Sequence, residues 1–148
     1  MLSTILVPTD GSDAANRAIA WAASLARHYG ALIVILHVTA EDETTLDETD
    51  PLEAARIGRI DVADAVETII EGIAREGEKK ARSTGAQRVV SITRSGDPAA
   101  VIQEQARQSS AELIVMGQRG LGPLAQISIG SVSAKVSQQA VCACLLVK

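Results

Sequence analysis

Glu112-Leu113-Ile114-Val115-Met116-Gly117-Gln118-Arg119-Gly120, followed after nine intervening residues by Gly130-Ser131-Val132, is the stretch on which the fold of this chain turns. An apolar run leads straight into a glycine, and a second glycine follows three positions on. Regular structure resumes at Gly-Ser, just ahead of the helical spacing Val132, Val136, Ala140. The pattern reads as strand, loop and helix. Glycines at a strand end let the backbone approach a ligand closely. A Gly-Ser at a helix start adds free N–H donors, a hydroxyl and the positive end of the helix dipole. Together these features describe a cradle for phosphate groups.

The flanking sequence repeats the strand–helix alternation. Thr4 to Val7 is a first short strand, and Ser12 with Asp13 supplies helix N-cap chemistry. Ala18, Ala22, Leu25, Ala26 and Tyr29 predict one buried helix face, ended by Gly30. Ala31 to Val38 is almost wholly apolar, as a parallel strand covered on both faces requires. Pro51 opens a helical region with a stripe of Val62, Val66, Ile69, Ile70 and Ile73, and Gly85 closes it. Val89, Val90 and Ile92, interleaved with Arg88, Ser91, Thr93 and Arg94, read as an edge strand. Asp97-Pro98 starts a helix reaching about Ser109, and Ala143 to Val147 forms a last strand. Four strand–helix units and a final strand predict an α/β fold, a single open five-stranded parallel sheet with helices on both faces. No internal repeat or linker divides residues 1–148, so one domain is expected.

Other phosphate-binding patterns fit less well. No Gly-Lys-Ser/Thr occurs, which removes the P-loop. Gly120-Leu-Gly122-Pro-Leu-Ala125 satisfies the looser dinucleotide fingerprint in form only. Pro123 interrupts it, and no strand ending in an acidic residue follows at the required distance.

The spacing G-x2-G-x9-G-S resembles the ATP-binding signature of the universal stress protein family. Ile5-Leu6-Val7-Pro8-Thr9-Asp10-Gly11-Ser12 looks like that family's first strand and its ligand-facing aspartate turn. Cys142-Ala143-Cys144-Leu145-Leu146-Val147 looks like its last strand, with Ala143 where the family often has proline. The resemblance covers nearly the whole chain. It implies a Rossmann-like sheet, similar to the adenine nucleotide alpha hydrolases, of strand order 3-2-1-4-5. The first and fourth strands then adjoin at the switch point, where ligands of such sheets bind.

By that resemblance the site comprises Pro8, Thr9 and Asp10 after the first strand, Val38 at the end of the second, and Met116, Gly117, Arg119, Gly120, Gly130, Ser131 and Val132 around the glycine loop. Asp10 suits the ribose or adenine end, and its other reading is a cap on the next helix. Val38 would offer backbone groups to adenine, while His37 beside it reads as a structural residue at a strand end. Arg119 is the loop's one cation, either a phosphate contact or a solvated side chain. The implied ligand is ATP, or ADP or AMP, with Mg²⁺ or Mn²⁺ bridging the phosphates because the loop carries little positive charge. Three readings follow: a nucleotide-binding regulatory protein, an adenine-nucleotide enzyme of related fold, and a member that keeps only an interaction role. The His-x-Gly-His and Ser-Gly-Gly-x-Asp-Ser loops of the related enzymes are absent, and the complete glycine pattern favours the first. No loop lysine or carboxylate lies in Gly117 to Ser131, so little hydrolysis and no catalytic residue are expected.

Composition narrows the partners. The 148 residues carry a net charge of −4 and only 1% aromatics, which argues against nucleic-acid binding by charge or by base stacking. The longest apolar stretch, Ala31 to Leu36, is too short to span a membrane. The amino end shows no basic leader, so a cytoplasmic protein is expected. Cys142 and Cys144 share one strand face and read as small buried apolar side chains. The acidic stretch Thr39 to Asp50 reads as a solvated loop, or else as a metal-binding segment or a contact for a protein partner. The last strand, Cys142 to Val147, is apolar on both faces and would lie at a sheet edge, which predicts a homodimer through it.

Overall fold

The computed structural model of the protein describes residues 1–39, 62–120 and 129–148. Strands β1 (Thr4–Pro8), β2 (Leu32–Thr39), β3 (Arg88–Ser95), β4 (Leu113–Gly117) and β5 (Ala143–Val147) form one parallel sheet in the order β3-β2-β1-β4-β5. The expected order 3-2-1-4-5 is borne out. The described helices are α1 (Asp13–Tyr29), α2 (Val62–Ser83), α3 (Pro98–Gln108) and α4 (Ser131–Gln139). The acidic stretch beyond Thr39, the helical region from Pro51 to Asp61 and the Gly122-Pro123 segment lie outside the described residues.

Alternation along the strands divides the core in two. Ile5, Val7, Ile33, Ile35 and Val115 face α1 and α2, while Leu6, Val34, Leu36, Ile114 and Met116 face α3 and α4. Each aliphatic side chain fully buried in this way contributes ~1.5–3 kcal/mol. Right-handed crossovers force this arrangement, because the chain moves one way along the sheet to β3 and the other way from β4 to β5. Ile5 pairs with both Ile33 and Leu113, so the direction of winding reverses around β1.

Helix α1 lies close to the sheet through Ala18, Ala22, Ala23 and Ala26. Tyr29, expected on its buried face, is half exposed instead and meets the His28 ring edge-on. It sits in the last turn, where the chain is leaving the sheet. Helix α2 differs from its expected stripe in the same way. Ile69 is 58% exposed, and the helix packs through Ala74, Gly77 and Ala81; the side chains at Val62, Val66 and Ile70 lie outside the described set. A Cβ on Gly77 would stand 2.9 Å from Ile35 Cγ2 and 3.6 Å from Thr9 Cγ2. Thr9 follows the end of β1, so the part of α2 before Gly77 extends past the sheet. There Ile73 Cγ2 reaches within 3.9 Å of a Cβ position on Gly11.

The two sheet edges are unlike. At β3, Arg82 of α2 donates to the Val89 carbonyl at 2.6 Å and pairs with Glu78. The Ser91 hydroxyl donates to Glu78 at 2.6 Å. That hydrogen bond holds the Glu78 carboxyl below its ordinary value, with Arg82 assisting and burial opposing. At β5 an arginine of α1 reaches the end of the strand instead: Arg17 Nε donates to the Lys148 carbonyl at 2.6 Å. Leu145 and Leu146 are half-buried and Val141 beside them is 74% exposed. Burial pushes the Cys142 and Cys144 thiols up in pKa, and both pack on the α3–α4 side.

Candidate functional site

Two loops meet at the carboxyl ends of β1 and β4. The first is held by its own hydrogen bonds. Thr9 N donates to the Leu36 carbonyl at 2.8 Å, and His37 Nδ1 lies 2.9 Å from the Thr9 carbonyl oxygen. His37 is buried and its ring fastens the end of β1 to β2, a structural role. Asp10 Oδ1 accepts from Ser12 N at 2.9 Å, and Ser12 Oγ accepts from Ala15 N at 3.2 Å. Gly11 between them has φ +80°, a backbone state that glycine adopts without a side-chain clash. The helix cap is thus Ser12, and Asp10 braces the turn that presents it.

The second loop is built differently. β4 ends at Gly117, where a Cβ would stand 2.9 Å from Ala14 Cβ and 3.0 Å from Ala15 N. This glycine lets the first turn of α1 pack against β4. Gln118 N then donates to the Val147 carbonyl at 2.7 Å, and Gly130 N donates to the Gln118 carbonyl at 2.8 Å. The chain therefore leaves at Gln118 and returns beside it at Gly130. Gly130 has φ −62°, open to any residue, and is confined by space alone. A Cβ there would lie 3.2 Å from Ser133 Oγ and 3.3 Å from the Gln118 carbonyl oxygen.

Helix α4 starts at Ser131, and among the described residues no side chain caps its first turn. Its leading N–H groups project into the space beyond the sheet, where the helix dipole favours an anion. Ser131 is exposed and adds a hydroxyl, while Val132 is half-buried against the core below. The two loops adjoin at Asp10 and Gly120: a Cβ on Gly120 would stand 2.5 Å from Asp10 Oδ2. One Asp10 oxygen is occupied by Ser12, and the other faces the glycine loop.

The structure thus brings Thr9, Asp10, Gly117, Gly120 and Gly130 to one end of the sheet. Arg119 is half-buried there, next in sequence to Gly120. Pro8 closes β1 opposite Leu36. Met116 is only 5% exposed, so its side chain belongs to the core and its backbone alone borders the loop. Val38 lies at the end of β2, half-buried and paired with Arg94. Among the described residues no group of three or more His, Cys, Asp or Glu could hold a metal ion. Asp10 Oδ2 is a single hard oxygen ligand, so a cation here would take its other ligands from phosphate and water.

The sequence reading missed Ser133 and Ala14. Ser133 is 3% exposed and its hydroxyl lies 2.7 Å from the Gln118 carbonyl oxygen. Its signal was a serine on the same helical face as Val136 and Ala140, where an apolar residue was expected. Ala14 carried none, since its contact with Gly117 exists only in the folded chain.

A wider cleft of about 670 Å³ runs from Thr9, Gly11 and Asn16 along α2 past Ile73, Gly77 and Lys80. It adjoins the β1 loop on the side away from α4. Among the described residues no helix is long and apolar enough to cross a membrane.

A sequence model described as the universal stress protein family matches residues 1–148. A universal stress protein of Thermus aquaticus, named for its place in the QAH/OAS sulfhydrylase 3′ region, is 36% identical, with all of both chains aligned. The universal stress protein YxiE of Bacillus subtilis is 34% identical, again over both full lengths. Among solved structures, a universal stress protein in complex with cAMP is 27% identical with TM-score 0.70, covering 99% of this chain and 96% of that one. UspA from Lactobacillus plantarum is 25% identical with TM-score 0.73, covering 99% and 98%. The chain belongs to the universal stress protein family.

Proposed function

We propose that residues 1–148 work as one adenine-nucleotide-binding regulatory unit in the stress response, taking ATP, ADP or AMP at the carboxyl ends of β1 and β4. The observation that carries this reading is the uncapped start of α4, set beside a glycine loop at the switch point of the sheet. Phosphates would lie against the N–H groups of Ser131 and Val132 and the Ser131 hydroxyl, with Gly117, Gly120 and Gly130 leaving the backbone accessible. Arg119 would add charge. The nucleoside would extend past Thr9 and Asp10 toward Val38. A relative of the same fold is known in complex with cAMP, which agrees with an adenine ligand.

Mg²⁺ or Mn²⁺ would supply the charge neutralisation that the loop lacks, with Asp10 Oδ2 as its protein ligand or, with no ion bound, as an acceptor for ribose hydroxyls. Rapid phosphoryl transfer needs a positioned base and strong cationic stabilisation, an arginine finger alone being worth about 10³–10⁵ in rate. The segment 117–131 contains no lysine and no carboxylate. Asp10, whose other oxygen faces the loop at Gly120, is engaged by Ser12 N. The reading is therefore of a binding protein that holds its nucleotide for minutes and signals through a protein partner. The half-exposed apolar edge at β5 supports a homodimer paired through Cys142 to Val147.

Calorimetric titration with ATP and with inorganic triphosphate tests the site. Gly130→Val should abolish ATP binding while circular dichroism shows an intact fold. A folded variant that binds ATP like the parent overturns the reading. So does turnover near one per second that depends on this loop. Sedimentation at micromolar concentration tests the dimer, with Leu145→Pro expected to give monomer.

A further inference from the structure

We infer that Ser133 is a positioning residue for the phosphate end of this site: its buried hydroxyl clasps the two ends of the glycine loop together and keeps the first turn of α4 open toward the ligand. This rests on the reading that phosphates lie at the start of α4. Ser133 Oγ lies 2.7 Å from the Gln118 carbonyl oxygen and 3.0 Å from that of Gly130. The same Gln118 carbonyl accepts the Gly130 N–H at 2.8 Å. Two donors, one from the backbone and one from a side chain, thus converge on a single oxygen. They join the residue at which the chain leaves the sheet to the residue at which it enters α4.

The clasp has a directional consequence. A serine at the third helical position can instead turn outward, and a side chain ahead of the helix can cap it. Here neither happens. Ser133 turns inward and is 3% exposed, and the position ahead of the helix is Gly130, which has no side chain. The Gly130 N–H is consumed by Gln118, so the donors left open among the described residues are those of the next residues. Their direction is set by where Gly130 is held. Without the hydroxyl, the Gln118 carbonyl keeps only the backbone bond, and the helix start can shift against β4. A site that depends on donors held in place before binding loses affinity when that support is removed.

The contact also couples Ser133 to Gly130. A Cβ at Gly130 would stand 3.2 Å from Ser133 Oγ, so the hydroxyl is one of the atoms that require glycine there. The motif position and its buried neighbour form one unit.

Calorimetry with Mg-ATP and with adenosine, on the parent, Ser133→Ala, Ser133→Thr and Gly130→Val, tests the inference. Ser133→Ala should weaken Mg-ATP roughly tenfold, the scale of one lost hydrogen bond to a buried carbonyl. Adenosine affinity should stay within about twofold, and Ser133→Thr should restore Mg-ATP to within about threefold of the parent. A merely structural serine would lower the melting temperature without separating the two ligands. If Ser133→Ala binds Mg-ATP like the parent while Gly130→Val does not bind, this inference fails and the site reading stands. If neither substitution changes affinity, the site reading fails and this inference with it. A measurement on the parent alone guards against a variant that does not fold. In nucleotide-free protein, the Gly130 amide should exchange with solvent as slowly as that of Ala134, which donates to the Gly130 carbonyl inside α4. Exchange of the Gly130 amide at the unprotected rate would mean the clasp is absent before binding, and would overturn the inference.

Discussion

Helices α1 and α4 both begin at the ligand end of the sheet, yet they begin in opposite ways. α1 is closed: Ser12 accepts from Ala15 N, and Asp10 braces Ser12. α3, starting at the same end, is closed too, with Asp97 Oδ2 accepting from Ala100 N at 3.0 Å. α4 alone of the three has a glycine at its cap and, among the described residues, no side-chain bond to its first turn. Glycine in place of a Ser or Asp cap costs a helix roughly a few tenths of a kcal/mol. The chain bears that cost at one helix start, which is also the start preceded by the glycine loop. The contrast separates a turn that completes itself from a turn that an external anion completes.

The largest expected effect comes from giving α4 what α1 has. Gly130→Asp supplies a cap and places a carboxylate where phosphate would sit. ATP affinity should fall by about a hundredfold, while the melting temperature moves by less than about 3 °C, because cap and crowding offset each other within 1 kcal/mol. Calorimetry and a thermal melt read both. Unchanged affinity would mean that the two helix starts do not differ in function.

Next comes the contact that sets the two starts side by side. Gly117→Ala pushes a methyl into Ala14 and the Ala15 backbone, which cannot move aside as a flexible side chain can. A loss of about 2 kcal/mol in stability is expected by chemical denaturation. The small size of that glycine also serves packing between α1 and β4. A fully stable Gly117→Ala protein would show that α1 does not seat there.

Opening α1 in turn should cost stability and leave binding alone. Ser12→Ala removes the cap and is expected to lower stability by about 1 kcal/mol, with ATP affinity within twofold of the parent. A large loss of affinity would place the ligand on α1 as well and blur the contrast.

The smallest effect belongs to the far edge, away from both starts. The Glu78 carboxyl is lowered first by Ser91 and then by Arg82, so it favours the folded state above the ordinary carboxylate pKa and loses that contribution as pH falls through its folded value. Glu78→Gln should therefore cost a few tenths of a kcal/mol at pH 7, since Arg82 is half exposed. The difference should shrink as pH falls through the lowered folded value of Glu78, beneath the ordinary carboxylate range, where the parent is protonated too. Denaturant titrations at neutral pH and at successively lower pH check it.

Strand positions were legible because they rest on local signals: apolar runs bounded by glycines, a charged edge at β3, and the caps at Ser12 and Asp97; the sheet order came from the resemblance to the universal stress protein family. The site was legible as a motif but not as a mechanism of packing. Gly130 reads as a glycine that lets the backbone approach a ligand; in the fold its φ is ordinary and its neighbours Ser133 and Gln118 confine it. Gly117 answers to Ala14, far away in sequence. Asp10 reads as facing the sugar or as a cap, and in the fold it spans the turn to Ser12 and touches the glycine loop. Ile69 shows the same limit, since a helical stripe predicts a buried face but not where the sheet beneath it ends.

Helix α2 rests on the sheet at Gly77, and its earlier turns reach past the sheet to Gly11. In mechanical terms Gly77 is a fulcrum. The arm on one side is fastened to β3 through Glu78 and Arg82; the other carries Ile73 over the turn that holds Asp10. A methyl inserted at the pivot would lift the helix off Ile35, and the free arm would swing further than the pivot itself. A change on this helix, well away from every glycine of the motif, would thus be felt at Gly11.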